Sequence, residues 1–201
     1  GEYPEPEKPH NFAVNNEKQY YPRISASYNH PKHPPYYAVD GNYWYHETPP
    51  NRWTTEGSTN DREWISVDFG TKRPVREVKL YFLDDEKSVK APSHYDLEYW
   101  DGTSWQTIPD QKRKYRHPKG HRPNTITFDE LQTSRIRVVM TPMPHADLGL
   151  TEMEVWGEGD LPLDKPTAQT ANLAYNRDGK GFPKISASYT FQHDQLEEIR
   201  D

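Results

Sequence analysis

The 201-residue chain has no cysteine. Disulfides and thiolate metal sites are thereby excluded, while the compartment stays open, because a chain of this length can bury a core without covalent staples. Apolar residues are also scarce, at 32% with aromatics included. No run approaches the ~18 residues that a bilayer span needs, so no membrane partner is expected. Positive charge is in deficit: 25 Lys and Arg face 31 Asp and Glu, a formal net charge of -6. A nucleic-acid binder normally carries a basic footprint, so no nucleic-acid partner is expected. Missing too are a nucleophile elbow, a phosphate-cradling glycine loop, a zinc-binding helix motif and a cysteine nucleophile. His117 and His121 have a helical metal-ligand spacing but sit around Pro118 and Gly120. Asp84 and Asp85 are adjacent, and neighbours on a strand point in opposite directions. The chain is therefore expected not to be an enzyme.

What the chain does have is aromatic surface, with 14 Tyr and 6 Trp. Large amphipathic rings can build a core where aliphatic residues are few. The periodicity is that of strands. Ile65, Val67 and Phe69 alternate with polar neighbours before Gly70, and Val78, Leu80 and Phe82 repeat the pattern. Tyr95, Leu97 and Tyr99 lead to Asp101-Gly102, a hairpin signal, after which Trp105 to Ile108 returns. Further strands are expected at 125–128, 135–140 and 150–156, and no segment has a sustained helical period. Eight or so short strands joined by Pro- and Gly-rich connections predict an all-β fold, an antiparallel β-sandwich of the jelly-roll kind.

Residues 11–40 recur without a gap at 172–201, with Pro22-x-Ile-Ser-Ala-Ser-Tyr28 answered by Pro183-x-Ile-Ser-Ala-Ser-Tyr189. A repeat at this spacing marks duplication of a whole domain. The expected organisation is a linker at 1–10, one complete module at 11–157, a second linker at 158–171 with Pro162 and Pro166, and the opening strand of a second module at 172–201. That last strand, around 184–189, is expected to be ordered only by adding to a sheet edge.

Taken in order, Ala38-Val-Asp40-Gly41-Asn42, Asn51-Arg-Trp53, Trp64-Ile-Ser-Val-Asp68-Phe-Gly70, Tyr95-x-x-Glu-Tyr-Trp100-Asp-Gly-x-x-Trp105, Arg135-Ile-Arg-Val and Thr151-Glu152-Met-Glu154-Val-Trp-Gly157 resemble the discoidin domain. This is the coagulation factor V/VIII C-type fold, whose bacterial branch is the family 32 carbohydrate-binding modules. Eukaryotic members usually tie their ends with a disulfide that is absent here, which favours the bacterial branch. The resemblance implies a non-catalytic carbohydrate-binding module appended to a bacterial glycoside hydrolase, with a glycan or polysaccharide and neighbouring domains of the same polypeptide as partners. It also implies a secreted, periplasmic or cell-surface location. The alternative is a ligand-free spacer that buttresses a catalytic neighbour.

By residues alone, Asp40-Gly41 is a turn and Glu152 a strand residue. The resemblance implies instead a structural calcium, bound by Asp40, Asn42, Asn51 and Glu152 with carbonyls near Ala38 and Thr151. Hard cations take six to eight oxygens from such mixtures. Glycan contact is expected from Tyr36 and Tyr37, from Trp44, Tyr45 and His46 in the lengthened loop, and from Arg52, since sugar sites combine an aromatic plate with a few polar groups. Galactose-binding relatives use a His soon after the x-Trp and an Arg and Asn after the fourth strand. Thr54-Thr55 and Leu83-Asp84-Asp85-Glu86-Lys87 stand at those positions, so either the ligand differs or the site has been lost. The basic run from Lys112 to Arg122 reads as a solvated hairpin loop or as a contact for an anionic polysaccharide or an acidic neighbouring domain.

Overall fold

The computed structural model describes residues 9–15, 18, 20–42 and 51–159. The chain's regular structure there is nearly all strand: β1 His10–Asn11, β2 Arg23–Ala26, β3 Trp53–Thr54, β4 Glu63–Phe82, β5 His94–Trp100, β6 Trp105–Thr107, β7 Lys112–Arg113, β8 Asn124–Thr141 and β9 Gly149–Gly157. One 3-10 turn, Pro35–Ala38, interrupts them. All strand pairings are antiparallel.

Two of these strands are far longer than the sequence pattern predicts. β4 has 20 residues and β8 has 18, because each runs through two of the expected short strands without a turn. Their ladder slips between Asp68/Arg73 and again between Val75/Glu77. Gly70 in between has a φ of 74°, a left-handed value that glycine reaches without strain. Such irregularities bend a strand, so one continuous sheet folds over on itself and becomes both layers of the sandwich. The first layer carries β2, the first half of β4, the second half of β8, β5 and β6. The second carries β9, the second half of β4, the first half of β8 and β7, with β1 and β3 on the far edge of β9.

Alternation then fills the space between the layers. Ile65, Val67, Phe69, Ile136, Val138, Met140, Tyr95 and Leu97 meet Val78, Leu80, Phe82, Ile126, Leu150, Met153 and Val155, all buried. Fully buried Trp53 is anchored by a hydrogen bond from its indole N–H to the Tyr28 carbonyl at 2.9 Å. At the other end Gly157 lets two backbones touch: a Cβ built there would lie 1.7 Å from the Pro74 carbonyl oxygen.

Candidate functional site

Three features of the loops and faces carry chemistry. The first lies at β9. Leu150 and Met153 both point into the core although they are three residues apart, because the β4–β9 register shifts between Tyr81 and Phe82. The extra residue turns Glu152 to the outer side, where it is fully buried. The Asp40 carboxyl and the Gly41 N–H stand beside its carboxylate oxygens, but neither oxygen has a hydrogen bond of normal geometry. Burial pushes its pKa up from 4.5 to about 10, and the negative charge of Asp40 adds to this while the Gly41 N–H opposes it. Asp40 itself is held in a turn, accepting from the Asn42 N–H at 2.9 Å, with Gly41 at a φ of 85°. Asn51, Thr151 and Ala38 are buried in the described structure, and the Thr151 hydroxyl donates to the Tyr81 carbonyl.

An orphaned, fully buried carboxylate facing a second one is the arrangement a hard cation resolves. The residues therefore fit a calcium ion, with Glu152 and Asp40 as the anionic pair. Their chain separation matters: the ion would join the loop after the 3-10 turn to the last strand.

The second feature is a cavity of about 350 Å³ between two loops, lined by Thr55, Ser58, Asn60, Asp61, Glu63, Pro142, Met143, His145, Ala146 and Asp147. The loops are stitched together. Thr55 N–H donates to the Leu148 carbonyl and Leu148 N–H to the Thr55 hydroxyl, each at 2.9 Å. Asp147 is fixed by backbone bonds to Ser88 and Lys90. Glu63 is buried and accepts from the hydroxyls of Ser27 at 2.8 Å and Ser58 at 2.6 Å. Burial raises the Asp147 pKa, and the charges of Glu56, Glu63 and Asp85 raise it further. Beside these acids stands Met143, an apolar side chain 41% exposed. Electrostatically, the cavity is poised for a cation with an apolar flank.

This cavity lies where the resemblance puts the sugar site, since Thr55 lines it and Asp85 acts on Asp147. The predicted contact residues are arranged differently. Tyr36 is exposed and Tyr37 half-buried on the 3-10 turn, with the Lys18 ammonium 5.5 Å from the Tyr37 ring. Arg52 is half-buried and helps to lower the pKa of His33, after burial as the larger cause. None of these three lines the acidic cavity. Trp44, Tyr45 and His46, together with the second repeat, lie outside the described residues. Asp84 and Asp85, weighed above as a carboxylate pair, each accept backbone N–H groups of their own loop. The acidic lining was missed because its members come from two distant segments. Its one legible signal is Pro142-Met143-Pro144, an apolar residue held out by prolines ahead of the last strand.

The third feature is the outer face of the first layer. A groove of about 320 Å³ there is lined by Ser25, Trp64, Ser66, Asp68, Trp105, Arg135 and Arg137.

Solved structures share this architecture. Chitosan-binding module 1 of a chitosanase/glucanase from Paenibacillus sp. IK-5 is 26% identical, with a TM-score of 0.54, covering 74% of this chain and 99% of that one. A chain of the Streptococcus pneumoniae β-galactosidase BgaA is 23% identical, with a TM-score of 0.68 over 74% of this chain and 99% of that one. The family 32 carbohydrate-binding module of Clostridium perfringens NanJ, solved with galactose, is 14% identical, with a TM-score of 0.57 over 75% and 100% of the two chains. Residues 23–153 match the F5/8 type C domain family. With two layers made from one folded sheet, the ordered motifs from Asp40 to Gly157 and a family match over most of the module, this chain belongs to the F5/8 type C, or discoidin, domain family.

Proposed function

We propose that this domain is a non-catalytic carbohydrate-binding module whose loop cavity takes glycans bearing protonated amino sugars, and whose loops are stiffened by calcium. The observation that carries the ligand class is the pair Glu63 and Asp147. Among the described residues neither forms an ion pair, and both line the same cavity beside exposed Met143. A sugar ammonium would supply the missing cation, and Met143 offers an apolar surface to the ring. The Arg and Asn of galactose-binding relatives are absent at 83–87, and the cavity is lined by carboxylates, which suits a positively charged sugar over a neutral one. The likeness to the Paenibacillus module, which binds chitosan, supports the same reading.

Asp40 and Glu152 would hold the calcium, with Asn42, Asn51 and the carbonyls near Ala38 and Thr151 completing an oxygen shell. Bound there, the ion supplies fixed positive charge and no reaction step. The glycoside hydrolase context and secretion extend the same proposal.

Isothermal titration with chitosan oligosaccharides and with their fully N-acetylated counterparts tests the ligand. Binding in the millimolar to micromolar range, roughly -4 to -8 kcal/mol, is expected for the amine form. Acetylation should weaken it at least tenfold, as should Asp147→Asn. Equal affinity for both forms would take the amine out of the reading, and silence towards both would favour the ligand-free spacer.

A further inference from the structure

We propose that the outer face of the first layer is a second carbohydrate subsite, for an uncharged oligosaccharide lying across the strands. It adds to the glycan-binding reading but uses other residues, so each can fail without the other.

The antiparallel register places its members in rows. Ser25 pairs with Ser66, Ser66 with Arg137, Arg137 with Glu98 and Glu98 with Thr107. One step along, Arg23 pairs with Asp68 and Asp68 with Arg135, beside the Trp100–Trp105 pair. Side chains of one row share a face of the sheet, and rows two residues apart are ~7 Å from each other. Trp64 on β4 and Trp105 on β6 are three strand spacings apart, ~14 Å across the sheet, and their rows are four residues apart, ~13 Å along the strands, so the line between them runs diagonally. The groove between them has Ser66 and Arg137 in its lining.

Charge and shape then select the occupant. Arg137 forks onto Glu98 through Nε at 3.3 Å and Nη2 at 3.1 Å, while its Cζ stands 4.5 Å from the Trp105 ring centroid. Arg135 repeats the device, with Cζ 5.1 Å from the Trp100 ring and Nε 3.2 Å from Asp68 Oδ2. The contact with Asp68 is an ion pair that leaves this buried Nε without a hydrogen bond. Each arginine that lines the groove, Arg135 and Arg137, is matched by an adjacent carboxylate, Asp68 and Glu98, so the groove itself offers neither a polyanion nor a polycation a strong net field to follow. Charged side chains separate Trp64 from Trp105, which is unlike the joined apolar centre of a protein interface. Planar, fixed donors and acceptors between flat indoles match the vicinal hydroxyls and apolar ring face of a neutral pyranose chain.

The test is titration of the whole chain with neutral cello-, xylo-, galacto- and arabino-oligosaccharides, followed by calorimetry and tryptophan fluorescence. At least one series should bind with a change in indole emission. Trp64→Ala should weaken that binding about tenfold or more, and Asp147→Asn should leave it unchanged. Ser25→Trp would fill the groove from an exposed position without removing any core packing, and should abolish binding even where Trp64→Ala disturbs folding. The proposal is overturned if no series binds, or if Ser25→Trp binds like the wild type. It is equally overturned if the chain forms a concentration-dependent dimer that Trp64→Ala dissociates, for then the face is a self-contact.

Discussion

In the proposed calcium site a single residue, Glu152, would couple metal, proton and loop. Without a cation its burial holds a proton on the carboxyl well above the usual range, at a pKa near 10 against an ordinary 4.5. The sign follows from linkage: between those values the folded state binds more protons than the unfolded one, so metal-free stability falls as pH rises through that window. The slope from this group is at most about 1.4 kcal/mol per pH unit. Calcium binding at neutral pH should release a proton, visible as a buffer-dependent heat. If the ion is present at about a thousand times its dissociation constant, it should add about 4 kcal/mol, or on the order of 10 °C in Tm. Glu152→Gln is neutral like the protonated acid, so its Tm in chelator should match the wild type, and calcium should no longer raise it. A calcium-induced rise that survives the substitution would place the ion elsewhere.

Elements are bent and joined at a few tight places. Gly157 is one, where β9 passes the bend of β4 so closely that Gly157→Ala sets a methyl against the Pro74 carbonyl and Phe12. Overpacking of this kind costs about 2 kcal/mol or more, measurable as a lower midpoint in urea with unchanged m. The basic run from Lys112 to Arg122 is another case. Buried Asn124 ties its end, donating to the carbonyls of Leu80, Lys119 and Arg122 at 2.7–3.0 Å and accepting from Lys119 N–H. Asn124→Ala should cost about 3 kcal/mol through orphaned carbonyls. Limited trypsin digestion should then cut within 112–122 faster than in the wild type. Period-two patterning made the strands at Ile65, Val78, Ile126 and Ile136 legible. It could not show that pairs of them were single long strands, because a bulge leaves no hydrophobic signature of its own.

For the molecule as a whole, charge placement matters more than the net value of -6. The acidic cavity and the basic hairpin loop are separate patches. Retention of amine-bearing glycans should fall with added salt, since exposed charge pairs are screened within ~10 Å at 0.1 M. It should also follow a bell-shaped pH profile. On the acid side, binding is lost as Asp147 protonates, at a pH above that of an ordinary aspartate because burial and its acidic neighbours raise its pKa. On the alkaline side it is lost as the sugar amine deprotonates. A profile flat from pH 4 to 9 would remove the cation from the account.

Alternation, turn residues and the ordered motifs from Asp40 to Gly157 are local properties of the chain, and by themselves they determined the β-sandwich, its family and the Asp40 turn. The pairing of Asp40 with Glu152 was reached only through resemblance, while the burial of Glu152, on which the proposed cation site rests, depends on the register shift between β4 and β9. The acidic cavity joins residues 55–63 to 142–147, and the outer groove joins residues of four strands, β2, β4, β8 and β6. Both are products of antiparallel register, which sets side chains dozens of residues apart on one surface; a linear pattern carries no record of that distance, and only the folded chain decides it.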